Sequence, residues 1–296
     1  MGRDLYEKFP AARKVFDEAD AALDASISQL CFDGPEDQLK LTENTQPAIL
    51  TVSFAAAVLL HERGIDAHFT AGHSLGEYSA HAVAGTFSFA DAVCTVRNRG
   101  RYMQQAVPAG QGAMAAILGL PAQTITAACT EAAAETGSVV APANFNAPEQ
   151  TVISGSVAGV ERAAALCKER GAKRAVMLPV SAPFHCSLMQ PAQDSLATDL
   201  SKVDFYPPQI PVVCNVDAAV VATGDAARYT LTRQVTGAVR WVECMQLLIA
   251  EGVTHFVEVG PGKVLCGLMR QIDRSQICLN VEDSASLEKT LELLKS

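Results

Sequence analysis

Residues 72–76 read Gly72-His73-Ser74-Leu75-Gly76 and fit the pattern G-x-S-x-G. A short segment from Ala67 to Ala71 comes directly before them and predicts a strand, and the segment from Leu75 to Ala84 predicts a helix. A sharp turn between a strand and a helix exposes the central serine, and we expect Gly72 and Gly76 to be needed because the turn crowds there against the neighbouring strand and helix. The order of strand, tight turn and helix therefore indicates an α/β fold with Ser74 as a candidate nucleophile.

The same turn predicts a place for negative charge beside the serine. The first N–H groups of the helix point at Ser74, and the N–H of Leu75 can donate to an oxyanion that forms during attack. A serine hydroxyl is a weak nucleophile unless a base lies within hydrogen-bond reach. The site therefore needs a histidine or an equivalent base from elsewhere in the chain.

Six histidines are available as that base. His185 follows a proline in Ser181-Ala182-Pro183-Phe184-His185, a loop at a predicted seam between domains, and functional residues favour such loops. From the residues alone, a catalytic base and a surface histidine are both open interpretations of His185. The other five lie in or beside predicted helices and strands and are interpreted as structural: His61, His68, His73, His81 and His255.

The pattern of the chain changes around the motif. Gln46 to Arg63 reads as a buried helix, whereas residues 111–180 read as strand, helix, strand, strand, helix, strand. That order is typical of a split βαβ, ferredoxin-like unit. Strands and helices alternate again afterwards, with IPVVCNV (210–216) and HFVEVG (255–260) as predicted core strands. We therefore expect one domain from residues 1–110 and 181–296, with residues 111–180 inserted as a small subdomain.

Composition excludes several classes of function. The chain has 296 residues, of which 49% are hydrophobic, enough to bury one large core. Its formal charge of -9 argues against a general binder of nucleic acid or anionic membranes. The longest mainly apolar run, Ala48 to Leu60, is about thirteen residues, too short to span a bilayer. Residues 1–10 carry charges of both signs and lack an apolar stretch, so we expect no signal peptide.

The cysteines indicate the compartment. Nine cysteines are scattered along the chain without any C-x-x-C pair. This favours reduced thiols in a cytoplasmic protein over a disulfide framework or a zinc site. We therefore expect a cytoplasmic protein without a structural metal.

The predicted helix from Phe89 to Val107 carries two candidate interior charges. Arg97 and Arg99 fall on opposite margins of its apolar face, and Arg101 lies further out. A buried guanidinium needs a partner, and its planar fork pairs best with a carboxylate. Periodicity does not choose between Arg97 and Arg99, and the carboxylate could belong to a substrate or to an Asp or Glu of this chain.

Six blocks of sequence carry a resemblance to a known family. In chain order they are GHSLGEYSAHAVAG, RNRGRYMQQAVPAGQGAMAAILGL, ANFNAPEQTVISGS, SAPFHCSLM, RQVTGAVRW and EVGPGKVLCGLMR. Together they closely resemble the malonyl-CoA:acyl carrier protein transacylases of bacterial fatty acid synthesis, over nearly the whole chain. The resemblance implies an α/β-hydrolase-like core with an inserted ferredoxin-like subdomain. It also implies ping-pong transfer of malonyl from malonyl-CoA to the thiol of acyl carrier protein through a malonyl-serine.

The resemblance also implies roles for individual residues. Ser74 would be the nucleophile and His185 the base. Arg99, rather than Arg97, would hold the malonyl carboxylate. Gln234 stands where the family has a polar residue whose main-chain carbonyl orients the histidine, which replaces the acid of a triad.

The resemblance implies substrates and a partner but no cofactor, because coenzyme A and phosphopantetheine thioesters are substrates. We expect a monomer that binds neither nucleic acid nor membrane. Acyl carrier protein is acidic and would need a basic surface. The densest candidate is the cluster Lys168, Arg170, Lys173 and Arg174, for which a solvated helix end is an equally open interpretation.

Three alternatives stay open. An esterase or thioesterase could use the same turn, because fold does not fix the acceptor. The chain could instead be a trans-acting polyketide acyltransferase, or a catalytically impaired homologue. In the family a strand and a G-Q-G-[SA]-Q loop, whose first Gln supplies a second oxyanion N–H, would precede Met1. We expect the reading frame to encode that segment upstream, and the chain without it to be unstable, aggregation-prone or nearly inactive.

Overall fold

The computed structural model describes residues 1–180 and 182–295 and shows a mixed α/β fold. Ser181, the first residue of the loop that leads to His185 and of the second predicted core segment, lies outside the described residues, as does Ser296. The helices are α1 (Arg3–Lys8), α2 (Pro10–Leu23), α3 (Ile27–Asp33), α4 (Glu36–Leu39), α5 (Thr42–Glu62), α6 (Leu75–Val83), α7 (Phe89–Gln105), α8 (Ala122–Thr136), α9 (Val157–Glu169), α10 (Gln190–Leu200), α11 (Gly224–Gln234), α12 (Trp241–Ala250), α13 (Val264–Ile272) and α14 (Ser284–Lys295).

The strands form three sheets. The first has the order β1-β6-β7, the second β3-β4-β2-β5, and the third pairs β8 with β9 in parallel. The strands are β1 (Thr70–Ala71), β2 (Gly112–Leu118), β3 (Val140–Ala147), β4 (Gln150–Ser156), β5 (Arg174–Met177), β6 (Val212–Val213), β7 (Val220–Val221), β8 (His255–Val259) and β9 (Ile277–Val281).

The buried helix predicted from Gln46 to Arg63 is observed as α5, which begins earlier, at Thr42, and ends at Glu62. Its residues are buried on most sides, and a helix that is apolar all round belongs inside a protein. It packs against α2 and α7, and its core cluster includes Leu50, Val52, Leu59 and Val96. α7 begins at Phe89 and is capped by Ser88, whose hydroxyl accepts from the N–H of Asp91.

The two strands that lead to the site are shorter than predicted. β1 covers only Thr70–Ala71 of the predicted Ala67–Ala71, and β6 covers only Val212–Val213. They pair in parallel, with Thr70 opposite Val212. Pro211, directly before β6, has no N–H with which to continue the strand pairing in that direction. β1 ends at its other side because the chain turns at Gly72. The short sheet nevertheless joins segments from before and after residues 111–180.

Residues 112–177 form an antiparallel sheet with two helices. The predicted order of strand, helix, strand, strand, helix, strand is observed, and the strand order is β3-β4-β2-β5. α8 and α9 pack together over this sheet and share a separate apolar cluster that contains Ile117, Ile125 and Ile153. A bridge between Asn144 and Val239 fastens β3 to the segment before α12. This contact brings the sheet of residues 112–177 next to the elements that carry the candidate site.

Candidate active site

The turn between β1 and α6 holds Ser74 in a conformation that side chains rarely adopt, with φ 52° and ψ -105°. A Cβ on Gly72 would lie 2.0 Å from the carbonyl carbon of Gly76, so the close approach of strand end and helix start requires glycine there. The expectation of similar crowding for Gly76 was wrong. A Cβ on Gly76 would meet no atom within 4 Å, so the position has room for a side chain. The crowding is one-sided: the backbone of Gly76 fills the space where a Cβ on Gly72 would lie.

Asn215, which follows the neighbouring strand β6, holds this turn. Its Oδ1 accepts from the N–H of Ser74 at 2.7 Å, and its Nδ2 donates to the carbonyl of Gly72 at 2.8 Å. Asn215 lies shortly after β6, which pairs with β1, so the two short strands are enough to place it. Asn215 was not predicted as a site residue, although an asparagine near the end of a predicted core strand was a usable signal.

Ser74 and His185 are in direct contact. The Oγ of Ser74 lies 2.7 Å from Nε2 of His185. The Nδ1 of His185 faces two main-chain carbonyls, those of Gln234 at 2.9 Å and Gly237 at 3.1 Å. Because carbonyls only accept, Nδ1 carries the proton and Nε2 presents a lone pair to the serine. The fold therefore brings together the serine and the one histidine that the loop pattern singled out.

Burial keeps this histidine neutral. His185 is 4% exposed, and desolvation together with the positive charge of Arg99 lowers its pKa to about 3. The carbonyls of Gln234 and Gly237 oppose this shift only in part. The imidazole can thus accept a proton from Ser74 at neutral pH.

The other five histidines do not bond the hydroxyl of Ser74. His61 and His255 are exposed and bond Asp66 and Thr254. His68 is also exposed. Nε2 of His73 lies 2.7 Å from Oδ1 of Asn146, and Nδ1 of His81 lies 3.0 Å from Oγ1 of Thr86.

Arg99 is the guanidinium that faces the interior. It is 2% exposed, and its Nη2 donates to the Oγ of Ser74 at 3.0 Å and to Oε1 of Gln234 at 3.0 Å. Its Nη1 donates to Oε1 of Gln46 at 2.7 Å. Arg97 lies elsewhere, and its Nη1 reaches the carbonyl of Leu23 at 3.4 Å. The structure thus decides the choice that periodicity left open.

The acceptors around Arg99 are neutral oxygens. Among residues 1–180 and 182–295, no Asp or Glu forms an ion pair with it, so the salt bridge considered from the sequence is not observed. The guanidinium also lies over the ring of Tyr78, with its central carbon 5.3 Å from the ring centroid. A buried cation whose hydrogen-bond acceptors are all neutral can accept a carboxylate from outside.

Gln234 contacts the site through both its main chain and its side chain. The main-chain carbonyl accepts from His185, as the resemblance implied. The side-chain Nε2 donates to the carbonyl of Ser74 at 2.9 Å and to Oε2 of Glu77 at 2.7 Å. Glu77 is fully buried, and desolvation raises its pKa to about 7. Glu77 and Gln46 were not predicted as site residues. An acid in the first turn of a helix, such as Glu77, is common because of the helix dipole alone.

Leu75 begins α6 directly after the nucleophile. In the part of the chain that the structure describes, no acceptor bonds its main-chain N–H. That group is therefore available for an oxyanion.

The basic cluster predicted at residues 168–174 is partly neutralised. Arg170 pairs with Glu131, and Nζ of Lys173 lies 3.4 Å from Oε2 of Glu149. The neighbouring Arg162 pairs with Glu135. The cluster is thus a mixed surface of both charges.

Metal sites, membrane spans and disulfides each have their own structural requirements. No group of three or more His, Cys, Asp or Glu side chains within the described ranges lies where it could share a metal ion. None of the described helices combines the length and apolar character needed to cross a bilayer. All nine cysteines are unpaired, and seven of them are buried.

The chain carries an acyltransferase domain, because the family model described as "Acyl transferase domain" matches residues 1–288. The chain is 48% identical to the malonyl CoA-acyl carrier protein transacylase of Bacillus subtilis, over 100% of this chain and 93% of that protein. The chain belongs to the family of malonyl CoA-acyl carrier protein transacylases.

Solved structures are similar over the same length. The acyl-carrier-protein S-malonyltransferase of Burkholderia pseudomallei superposes with a TM-score of 0.94 at 49% identity, covering 97% of this chain and 93% of that one. A malonyl-transacylase solved in complex with its type II polyketide acyl carrier protein superposes with a TM-score of 0.95 at 44% identity, covering 99% and 94%.

Proposed function

We propose that this protein transfers malonyl groups from malonyl-CoA to the phosphopantetheine thiol of acyl carrier protein through an ester on Ser74, and so supplies fatty acid synthesis. One observation carries the proposal. The Oγ of Ser74 lies 2.7 Å from Nε2 of His185 and 3.0 Å from Nη2 of Arg99. A base and a carboxylate-binding fork at the same oxygen suit an acyl group that ends in a carboxylate.

In the first half-reaction, Ser74 attacks the thioester carbonyl while Nε2 of His185 takes its proton. The carbonyl becomes an oxyanion, to which the N–H of Leu75 donates. When the oxyanion collapses, the carbon–sulfur bond breaks and the thiol of coenzyme A leaves with the proton from His185. The malonyl group is then esterified to Ser74. Only one methylene separates its carbonyl from its carboxylate, so the carboxylate can pair with Arg99 beside the ester.

In the second half-reaction, the phosphopantetheine thiol gives its proton to His185 and attacks the ester. The carbon–oxygen bond to Ser74 breaks, and the serine recovers the proton from His185. The main-chain carbonyls of Gln234 and Gly237 hold the imidazole throughout and stabilise its charged form. Coenzyme A and phosphopantetheine thioesters are substrates in this scheme, and no cofactor takes part.

We further propose that the mixed α/β fold is an α/β-hydrolase-like core, residues 1–110 and 181–296, with a ferredoxin-like subdomain inserted at residues 111–180. The separate apolar cluster of the four-stranded sheet supports the division. The strand order β3-β4-β2-β5 with two packed helices supports the ferredoxin-like description. The parallel pairing of β1 with β6 supports a core that continues across the insertion. Nine unpaired cysteines support a cytoplasmic location.

Hydrolysis is the reaction from which transfer must be distinguished, because water can replace the thiol as acceptor. The protein is mixed with malonyl-CoA labelled in the malonyl group, with and without phosphopantetheinylated acyl carrier protein. We expect the label to move to the carrier. Release of free malonate as the main product, in the presence of the carrier, would contradict the proposal. Carriers from fatty acid and from type II polyketide synthesis are compared in parallel, because a similar structure contains the latter.

A further inference from the structure

Glu77 is a buried carboxylate directly behind the candidate nucleophile. It lies three residues after Ser74 in α6 and is 0% exposed. Its Oε2 accepts from the main-chain N–H of Asn215 at 2.9 Å and from Nε2 of Gln234 at 2.7 Å, whereas its Oε1 has no hydrogen-bond partner. Both donors belong to residues that also bond the main chain of Ser74. Glu77 therefore joins two of the supports of the turn.

The carboxylate of Glu77 fixes which way the amide of Gln234 points. Both N–H groups of that amide are used, one toward Glu77 and one toward the carbonyl of Ser74. The amide oxygen is thereby left facing Nη2 of Arg99 at 3.0 Å. A flipped amide would place its oxygen against a carboxylate and a carbonyl, and its N–H groups against a guanidinium that only donates. The observed orientation is the one in which every donor meets an acceptor.

The amide oxygen of Gln234 is one of two that orient the guanidinium. The other is Oε1 of Gln46, whose Nε2 donates to Oγ1 of Thr42 at 3.0 Å. With one amide oxygen on each terminal nitrogen, the plane of the Arg99 guanidinium is set. Because both acceptors are neutral, they set the plane without supplying a countercharge at contact distance.

We propose that Glu77 is a positioning residue for acyl-group selection: by fixing the amide of Gln234 it fixes the guanidinium of Arg99 in the orientation that pairs with a substrate carboxylate. This inference rests on the proposed function. It assigns the effect of Glu77 to hydrogen-bond acceptance at a fixed reach, not to its charge. The two properties can be separated by substitution.

The experiment compares Glu77→Gln, which keeps the reach and an acceptor oxygen but removes the charge, with Glu77→Asp, which keeps the charge but shortens the side chain. Formation of the acyl-protein adduct is followed by intact-protein mass spectrometry with malonyl-CoA and acetyl-CoA. We expect Glu77→Asp to lower the malonyl to acetyl ratio of kcat/KM by about tenfold, the scale of one lost hydrogen bond to a charged group. Glu77→Gln should stay within about threefold of the unsubstituted ratio. Equal losses for both donors, or the reverse order of the two variants, would overturn the inference.

A second substitution approaches the same link from its other end. Gln234→Met removes the amide oxygen from Arg99 but keeps the main-chain carbonyl that holds His185, so the malonyl to acetyl ratio should fall as in Glu77→Asp. In the double variant the two losses should not add, because both break one chain of contacts. Additive losses would overturn the inference. If Glu77→Asp alone fails to fold, Gln234→Met still tests the link, because an unchanged malonyl to acetyl ratio in that variant would overturn the inference.

Failure of the proposed function gives a different result. If the unsubstituted protein forms no malonyl adduct, the proposed function is wrong whatever the variants do. The inference about geometry is then decided by a crystal structure of Glu77→Asp. An Arg99 that still donates from Nη2 to Oε1 of Gln234, at the distance seen without the substitution, would overturn it independently of any substrate.

Discussion

The guanidinium of Arg99 donates a hydrogen bond to the hydroxyl of Ser74, with 3.0 Å between Nη2 and Oγ. The group proposed to hold the carboxylate of the substrate therefore touches the group proposed to attack its carbonyl. An incoming carboxylate must compete for Nη2, which ties binding of the acyl group to the rearrangement of contacts at the nucleophile. The same positive charge helps to keep His185 unprotonated.

Replacement of Ser74 by Ala should abolish the malonyl-protein adduct, because no other attachment point is proposed for the acyl group. Intact-protein mass spectrometry after mixing with malonyl-CoA measures this directly. His185→Ala should slow adduct formation strongly, because the serine hydroxyl is a weak nucleophile without its base and the two residues act as one unit. An adduct of undiminished yield in Ser74→Ala would reject the assignment.

Replacement of Arg99 by Ala should weaken the use of malonyl-CoA by roughly 2–5 kcal/mol, the scale for truncating one member of a buried charge pair. Acetyl-CoA lacks the carboxylate and should lose much less. Arg97→Ala is the matched control, because Arg97 lies in the same helix but contacts Leu23 rather than Ser74. The measurement is the malonyl to acetyl ratio of kcat/KM. A ratio that is unchanged in Arg99→Ala would assign Arg99 a structural role.

The nucleophile turn could be predicted from the sequence because its determinants are local. The pattern at residues 72–76 lies between a strand and a helix, and the long buried helix α5 has a strong pattern of its own. Strand lengths were less predictable. Apolar character continues beyond β1 and β6, but Pro211 and the turn at Gly72 limit the pairing to two residues on each strand.

The rest of the site depends on contacts between distant parts of the chain. Ser74 and His185 are 111 residues apart, and Asn215 and Gly72 are 143 apart. From the residues alone, His185 could be read either as a catalytic base or as a surface histidine, and only the resemblance favoured the catalytic base. Glu77 could not be recognised, since nothing in its helical position shows that Gln234 will lie 2.7 Å from its carboxylate.

The pH dependence of acylation should reflect the lowered pKa of His185. The folded pKa is about 3, below the ordinary 6.5, so the imidazole stays neutral and able to accept a proton far below pH 6.5. We therefore expect the single-turnover rate of acylation, measured by rapid mixing from neutral pH, to show no transition near pH 6.5 when it is followed from about pH 5 to about pH 8. Arg99→Ala, measured with acetyl-CoA, should raise the pKa of His185, and with it the pH at which acylation is half lost, because the substitution removes a positive charge near the ring. A midpoint near 6.5 in the unsubstituted protein would contradict this.

The ionisation of Glu77 should make the folded protein less stable as the pH rises, and Glu77→Gln isolates this contribution to the free energy of unfolding. Burial raises the folded pKa from 4.5 to about 7, so between these values the folded protein binds more protons than the unfolded chain. Its free energy of unfolding therefore decreases as pH rises through this window, by about 3 kcal/mol in all. Glutamine does not titrate, so the variant should gain that amount relative to the unsubstituted protein between about pH 4.5 and about pH 7. Urea unfolding of both proteins at several pH values measures the difference, in which the contributions of buried histidines cancel. Parallel stability curves would show that Glu77 titrates at an ordinary pKa, and a difference of opposite sign would mean that its charged form is the one the fold stabilises.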